Sequence, residues 1–247
     1  MLRTVLITAG TLLLVAYLAV CGFIYADRAE MIYAGDRIVV LDSADLHFVR
    51  EADVRAILRQ ANFSARGKRL HEVNTYELGR LIEQNPLVRS ARCYHTPDSM
   101  LRIDVEQRHP IMRVKSNGPD GDFYIDTEGE TMPAHPGVAL RLPLVTGQVR
   151  RSEVRELGLY EFARFLEGNR FWRQEITQIH VDAAGEVTLV PRVGSHVILM
   201  GSLQDYEQKL DRLLTFYQKV MPRKGWNAYS VLNVKFDGQV VGERVAK

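Results

Sequence analysis

The stretch Asn85–Ile111, NPLVRSARCYHTPDSMLRIDVEQRHPI, decides how the first half of the chain is read. It alternates apolar and charged residues on both sides of a Pro-Asp step. Leu101, Ile103 and Val105 interleave with Arg102, Asp104 and Glu106, so the spacing predicts a strand with one buried face and one wet face. Upstream, Ala91 and Cys93 share parity while Arg92 and Tyr94 point the other way. Between them Thr96–Met100, TPDSM, carries the turn chemistry that would close a hairpin. The same stretch holds His95, His109 and one of only two cysteines, so a catalytic or metal-binding segment is the rival reading.

Working outward, Arg37–Asp42 (RIVVLD) is rich in β-branched residues and predicts a short strand. Val54, Ile57, Leu58 and Ala61 fall at helical spacing and form one apolar stripe. Asn74 followed by Glu77 has the form of a capping box, with an amide in place of the usual hydroxyl. Leu78, Leu81 and Ile82 give the second helix its stripe, and Pro86 stops it. Strand–helix–helix–strand–strand is a compact α+β unit. Pro110 is expected to restrict further pairing.

Val5–Ala26 carries no charge. At about 1.5 Å per residue it spans roughly 33 Å of helix, enough for a hydrocarbon core of about 30 Å. An uncleaved anchor is the reading that its length favours. A cleavable signal finds only a poor processing site. LAVC, ending at Cys21, resembles a lipobox, but Val20 is bulky and the apolar run continues past it. Charge flanks the segment almost evenly, so an N-in orientation rests on the long C-terminal part being translocated.

Beyond Pro110 the pattern turns β-rich. Short strands are expected at Phe123–Asp126, within RLPLVTG, and in Ser195–Gly201. A hairpin should set Ile179 and Val181 against Val187 and Leu189. Helices are expected at Glu153–Leu166 and in LQDYEQKLDRLLTFYQKVMP, where Tyr206, Leu210, Leu213, Leu214 and Tyr217 form a stripe ended by Pro222. Asp237-Gly238 is a two-residue hairpin signal that would fold Gln239–Val241 back on Val231–Phe236. A last strand with no downstream partner is a candidate sheet edge, open to another chain.

Charge and motifs exclude several function classes. The 32 basic and 30 acidic residues leave a formal charge of +2, without the concentrated basic face that nucleic acid needs. No nucleophile elbow, S-x-x-K, H-E-x-x-H or phosphate-binding glycine loop occurs. The seven histidines lack ligand spacing. No catalytic residue, metal site, cofactor or small-molecule substrate is expected. Cys93 reads best as a small core hydrophobe, because Cys21 lies in the apolar segment and leaves it no intrachain partner.

The chain resembles the FtsQ/DivIB family of bitopic cell-division proteins. The resemblance lies in an NPxV turn (Asn85, Pro86, Val88), a strand, the turn with Pro97, a strand with Leu101, and an ER-x-P pattern. That pattern appears here as Gln107-Arg108-His109-Pro110, with glutamine in place of glutamate and with Arg108 and Pro110 kept. YIDTEGETMP resembles the family's Asp-x-x-Gly turn, and YSVLNVKFDGQVV resembles its C-terminal strand pair in a Bacteroidetes-like form. The resemblance implies a cytoplasmic tail (1–3), a transmembrane helix (4–26), a linker (27–36), a POTRA domain (37–114) and a C-terminal β domain (115–247). The tail is shorter than is usual in the family.

It also implies a non-enzymatic divisome scaffold in the inner membrane. The N-terminus would be cytoplasmic and the bulk of the chain periplasmic, enriched at the septum, where it helps control peptidoglycan synthesis. Its partners would be small coiled-coil proteins of the FtsB and FtsL types, other divisome members, and the bilayer through 4–26. The pairing edge would be Gln239, Val240 and Val241, with Phe236 as aromatic anchor and Gly238 as turn. The alternative is that these residues only complete the sheet. Ala65–Arg69 (ARGKR) is a weak recruitment candidate. A POTRA-type export chaperone and a tethered cell-wall enzyme remain the rival functions.

Overall fold

Apolar stripes and alternating strands build two compact units, Met1–Gln107 and Arg108–Lys247. The computed structural model describes residues 9–22, 31–44, 46–135 and 140–245. Residues 9–22 are helical (α1), and their leucines are exposed. The remainder of the expected 4–26 span, the tail 1–3 and residues 27–30 lie outside the described residues. Among the described residues no helix is long and apolar enough to cross a membrane.

The first unit runs β1 (Gly35–Val40), α2 (Glu51–Gln60), α3 (Thr75–Glu83), β2 (Val88–His95) and β3 (Met100–Gln107), the order the sequence predicts. Its sheet is β1-β3-β2, with β1 parallel and β2 antiparallel to the central β3. Leu101, Ile103 and Val105 are fully buried, and Val54, Leu58, Leu78 and Ile82 pack from the helices. Asn74 caps α3 by accepting from the Glu77 amide at 3.2 Å. The Asn85 side chain accepts from the Leu87 amide at 3.0 Å, turning the chain into β2 ahead of buried Val88. Pro97 is exposed in the hairpin turn.

Three details depart from the expected pattern. Asp104 is buried on the face expected to be wet, held by the Tyr94 hydroxyl at 2.9 Å and Arg102 Nε at 2.8 Å. Ala61 is exposed as the C-cap of α2 rather than part of its stripe. The segment expected as a linker is also packed: Tyr33 is buried and its amide donates to the Lys68 carbonyl at 2.9 Å. Residues 31–33 thereby tie down the ARGKR loop, where Lys68 lies over the Phe63 ring.

Gln107 closes this unit. Its fully buried amide accepts from the Val49 amide at 2.7 Å and donates to Asp42 Oδ1 at 3.0 Å and the Leu46 carbonyl at 3.1 Å. One side chain thus holds the loop after β1 against the end of β3.

The second unit is a mixed nine-stranded sheet ordered β12-β11-β10-β9-β8-β7-β4-β5-β6. Its strands are β4 (Pro110–Ser116), β5 (Asp122–Asp126), β6 (Thr131–Pro133), β7 (Leu144–Gly147), β8 (Ile176–Val181), β9 (Val187–Pro191), β10 (Val197–Gly201), β11 (Tyr229–Asn233) and β12 (Val241–Arg244). Helices α4 (Leu159–Gly168), α5 (Arg170–Glu175), α6 (Tyr206–Lys219) and α7 (Met221–Lys224) complete it. Phe162, Leu166, Trp172, Leu210, Leu213 and Tyr217 pack with the sheet residues in one core. A strand–helix–helix–strand–strand unit followed by a β-rich unit with helices gives the α+β class.

Two expectations need correction here. Pro110 does not end pairing: as the first residue of β4 it needs no ladder N–H, and the strand pairs on both sides. Val114, read from sequence with the first unit, therefore belongs to the second unit's sheet. The helix expected from Glu153 begins only at Leu159, because Gly158 adopts a left-handed conformation (φ 71). Ile179 and Val181 do face Leu189 and Val187.

His196 gives this unit a pH dependence. It is buried, its Nε2 lies 2.8 Å from the Tyr217 hydroxyl, and its ring meets Tyr217 edge-on. Burial holds its pKa below the usual value, outweighing the opposing pull of the Trp226 carbonyl. The native state therefore prefers neutral imidazole, and the unfolded chain binds the proton first, near pH 6.5. Stability is full above that pH and falls as pH drops through 6.5. Melting temperatures measured between pH 7.5 and 5.5 should decline, and His196→Phe should flatten the decline. An unchanged slope in that variant would contradict this account.

Candidate partner-binding edge

The sheet has two edges, and they differ. β6 is three residues long and ends in Pro133, a blunted edge. Among the described residues β12 has a neighbour on one side only, β11, with Asn233 opposite Val241, Leu232 opposite Gly242 and Val231 opposite Glu243. Just beyond β12, the Val245 amide donates inward to the Ala228 carbonyl at 3.3 Å. Because hydrogen-bonding direction alternates along an antiparallel strand, Glu243 and Val241 also face β11. Gly242 and Arg244 present their backbone groups outward.

The sequence placed the returning strand too early. Gly238 does adopt a left-handed turn conformation (φ 71), but the Asp237-Gly238 turn joins no tight hairpin. Residues 234–240 form a longer connection, and pairing begins at Val241. The connection is held at its first three residues. The Val234 amide donates to the Leu199 carbonyl at 3.1 Å, and Arg212 Nη2 reaches the Val234 and Phe236 carbonyls at 3.4 Å. Lys235 pairs with Glu186. Phe236, half exposed, and Gln239 project from this connection, Val240 packs partly against the core, and Val241 opens the strand.

Sequence reasoning missed the surface beside this strand. A groove of about 300 Å³ runs between Gly238–Val240 and α6, lined by Arg212, Phe216 and Lys219. Phe216 stacks edge-on against Tyr229. Gly242 sits over that same ring: a Cβ there would lie 2.7 Å from it. The glycine is what lets β12 close on β11, and a glycine flanked by alternating residues in VGERV was the signal available. On the far side, Lys209 is buried and donates to the Met200 and Ser202 carbonyls at 3.2 and 2.8 Å, fixing α6 to the end of β10. Burial lowers its pKa.

The structure does not assemble a Cys–His pair. Cys93 is half-buried rather than fully core, and burial, with Glu83 and Asp104 nearby, pushes its thiol up to about 12. It is therefore a thiol at neutral pH, not a nucleophile. The His95 ring is engaged with the Tyr33 hydroxyl at 3.1 Å. No group of three potential metal ligands occurs among the described residues.

Arg108 and Pro110, by contrast, sit in one structural lock with the Asp-x-x-Gly turn. Arg108 Nη1 donates to Asp126 Oδ2 at 2.7 Å, while Asp126 Oδ1 accepts from the amides of Glu128 and Glu130 at 2.9 and 2.8 Å. Pro110 pairs opposite Asp126.

Comparison with known proteins agrees with this architecture. Residues 35–106 match a POTRA-like domain. The cell division protein FtsQ of Rhodothermus marinus is 25% identical over 209 residues, covering 78% of this chain and 73% of that protein. FtsQ of Syntrophotalea carbinolica is 26% identical over 178 residues, covering 68% of this chain and 62% of its own length. Residues 109–243 match the family described as FtsQ/DivIB, C-terminal related. That match alone spans more than half of the sequence, and the chain belongs to the FtsQ/DivIB family.

Proposed function

We propose that this protein is a non-enzymatic scaffold of the bacterial division machinery, anchored in the inner membrane by residues 4–26 with its bulk in the periplasm. It captures small coiled-coil partners of the FtsB and FtsL types by strand addition at β12, and so helps control septal peptidoglycan synthesis. The single observation carrying this reading is the open edge of β12, which has no proline and lies beside a groove lined by Arg212, Phe216 and Lys219. An added strand would gain the outward backbone groups of Gly242 and Arg244. A helical flank of the same partner would fit the groove, where two cations favour acidic side chains. The relatives' cell-division names support the process. The POTRA module is drawn from Gly35, where β1 begins, to Gln107, because Pro110–Ser116 pairs within the other sheet.

The test is a proline at the outward position. Arg244→Pro removes one outward N–H while leaving the inward ladder donors of Val241 and Glu243 in place. Partner capture by the detergent-solubilised full chain should weaken about tenfold or more, which corresponds to about 1.4 kcal/mol. Circular dichroism should stay unchanged. Undiminished capture by a folded Arg244→Pro chain would remove the edge from the mechanism.

A further inference from the structure

A second surface, in the C-terminal unit and built from elements other than β12, carries unbalanced charge. A cleft of about 1070 Å³ opens where α5 leads into β8 and where the chain enters β7. Arg141, Arg170, Arg173 and Arg192 line it, with Glu167 as the one acidic residue. Glu167 is already paired with Arg164 at 3.1 Å. Arg192 is partly satisfied: its Nε donates to the Gln174 carbonyl at 2.6 Å, and its charge is felt by Glu175. Arg141, Arg170 and Arg173 are exposed, and among the described residues their side chains make no ion pair or hydrogen bond.

Two exposed apolar residues are next in sequence to these cations, outside the cleft lining. Phe171, between Arg170 and Arg173 on α5, is 44% exposed, and Val193, next to Arg192, is 41% exposed. Phe171 rests edge-on against buried Trp172, which fixes it in place rather than leaving it free.

We propose that this cleft binds a phosphate group, recognised by the guanidinium forks of Arg141, Arg170 and Arg173. Charge and geometry favour phosphate over carboxylate. A single carboxylate brings one negative charge and two oxygens, whereas phosphate brings up to two charges and three oxygens for several planar donors to share. The shared chemistry has two sources, an anionic lipid headgroup and a soluble phosphate, and the site takes its charge recognition from the same arginines in either case. This site is independent of the β12 edge and does not depend on the partner reading.

The experiment uses the full chain in two arms. In the first, the chain in a neutral detergent is titrated with inorganic pyrophosphate by calorimetry. In the second, the chain is placed in nanodiscs of phosphatidylcholine with or without phosphatidic acid, whose terminal phosphate monoester has the required charge and oxygens, and amide exchange is followed at residues 140–143, 168–176 and 191–194. Saturable pyrophosphate binding, or slowed exchange at these segments only with phosphatidic acid, supports the site. Exchange protection without pyrophosphate binding assigns the lipid source, and the reverse assigns the soluble one. In the double variant Arg170→Glu/Arg173→Glu either signal should fall at least tenfold. Arg141→Ser, on an extended segment, should weaken it several-fold without risk to α5. Absence of both signals, or signals that survive both variants, would overturn the proposal, as would protection of these segments by a co-purifying acidic protein alone. Loss of partner capture through β12 would leave these readouts unchanged.

Discussion

Replacing Arg108 with alanine is expected to cost the C-terminal unit about 3 kcal/mol, because it strands a buried carboxylate. The Asp126 side chain is 2% exposed and the Arg108 side chain 21%, so water cannot replace the guanidinium fully. Asp126 cannot turn away either, since its other oxygen caps the Glu128 and Glu130 amides. Glu128, with a carboxylate 3.8 Å from Arg108, would add repulsion once the cation is gone. Denaturant unfolding of the full chain should show the loss, and amide exchange should localise it to β5 and β6. A shift below about 1 kcal/mol would mean that the turn amides alone support Asp126. An apolar pair would not rescue the site, because those two amides would then be orphaned.

Gln107→Glu is the second large effect, and it runs against the family pattern. The ER-x-P motif as usually written has glutamate where this chain has Gln107. Here the amide nitrogen faces two acceptors, Asp42 Oδ1 and the Leu46 carbonyl. A carboxylate at that position loses both donors and gains a like charge beside Asp42. About 3 kcal/mol should be lost from the first unit at neutral pH. The sign of the pH dependence is fixed: the buried glutamate would have a raised folded-state pKa, so the penalty is present above that pKa and relieved as pH falls toward about 4. Melts of variant and parent at pH 7.5 and 4.5 should converge on acidification. A constant gap would assign the cost to packing instead of charge.

Much of the first unit was legible because its signals are local. Val54 with Leu58, Leu78 with Ile82, and the alternation Leu101–Ile103–Val105 each report a face, and the faces agree. What periodicity missed was the polar closure by Gln107 and Tyr33, since a buried amide or hydroxyl carries no pattern until its partners are placed. In the second unit β4 was hidden by Pro110, which reads as a stop yet sits where no amide is needed. α5 is six residues long, too short for a stripe. At the candidate edge, Asp237-Gly238 gave the right neighbourhood and the wrong register. The strand's start is set by Gly242 meeting Tyr229, a contact between chain segments that no local signal encodes. Lys209 was equally invisible, because a cation on the apolar stripe of α6 is accepted only where two carbonyls converge on it.

The central position of β3 has a consequence for the order in which the first unit forms. β1 pairs with nothing near it in sequence: Gly35 lies opposite Met100 and Val40 opposite Val105. The strand that completes the three-stranded sheet is the last to be synthesised. β1 must therefore wait, as an unpaired β-branched segment, until the β2–β3 hairpin has emerged. Closing so long a loop before any contact rewards it is the slow step for such topologies. During synthesis the unit stays open until Gln107 has emerged, and its closure then comes late and all at once, as an event timed by chain length.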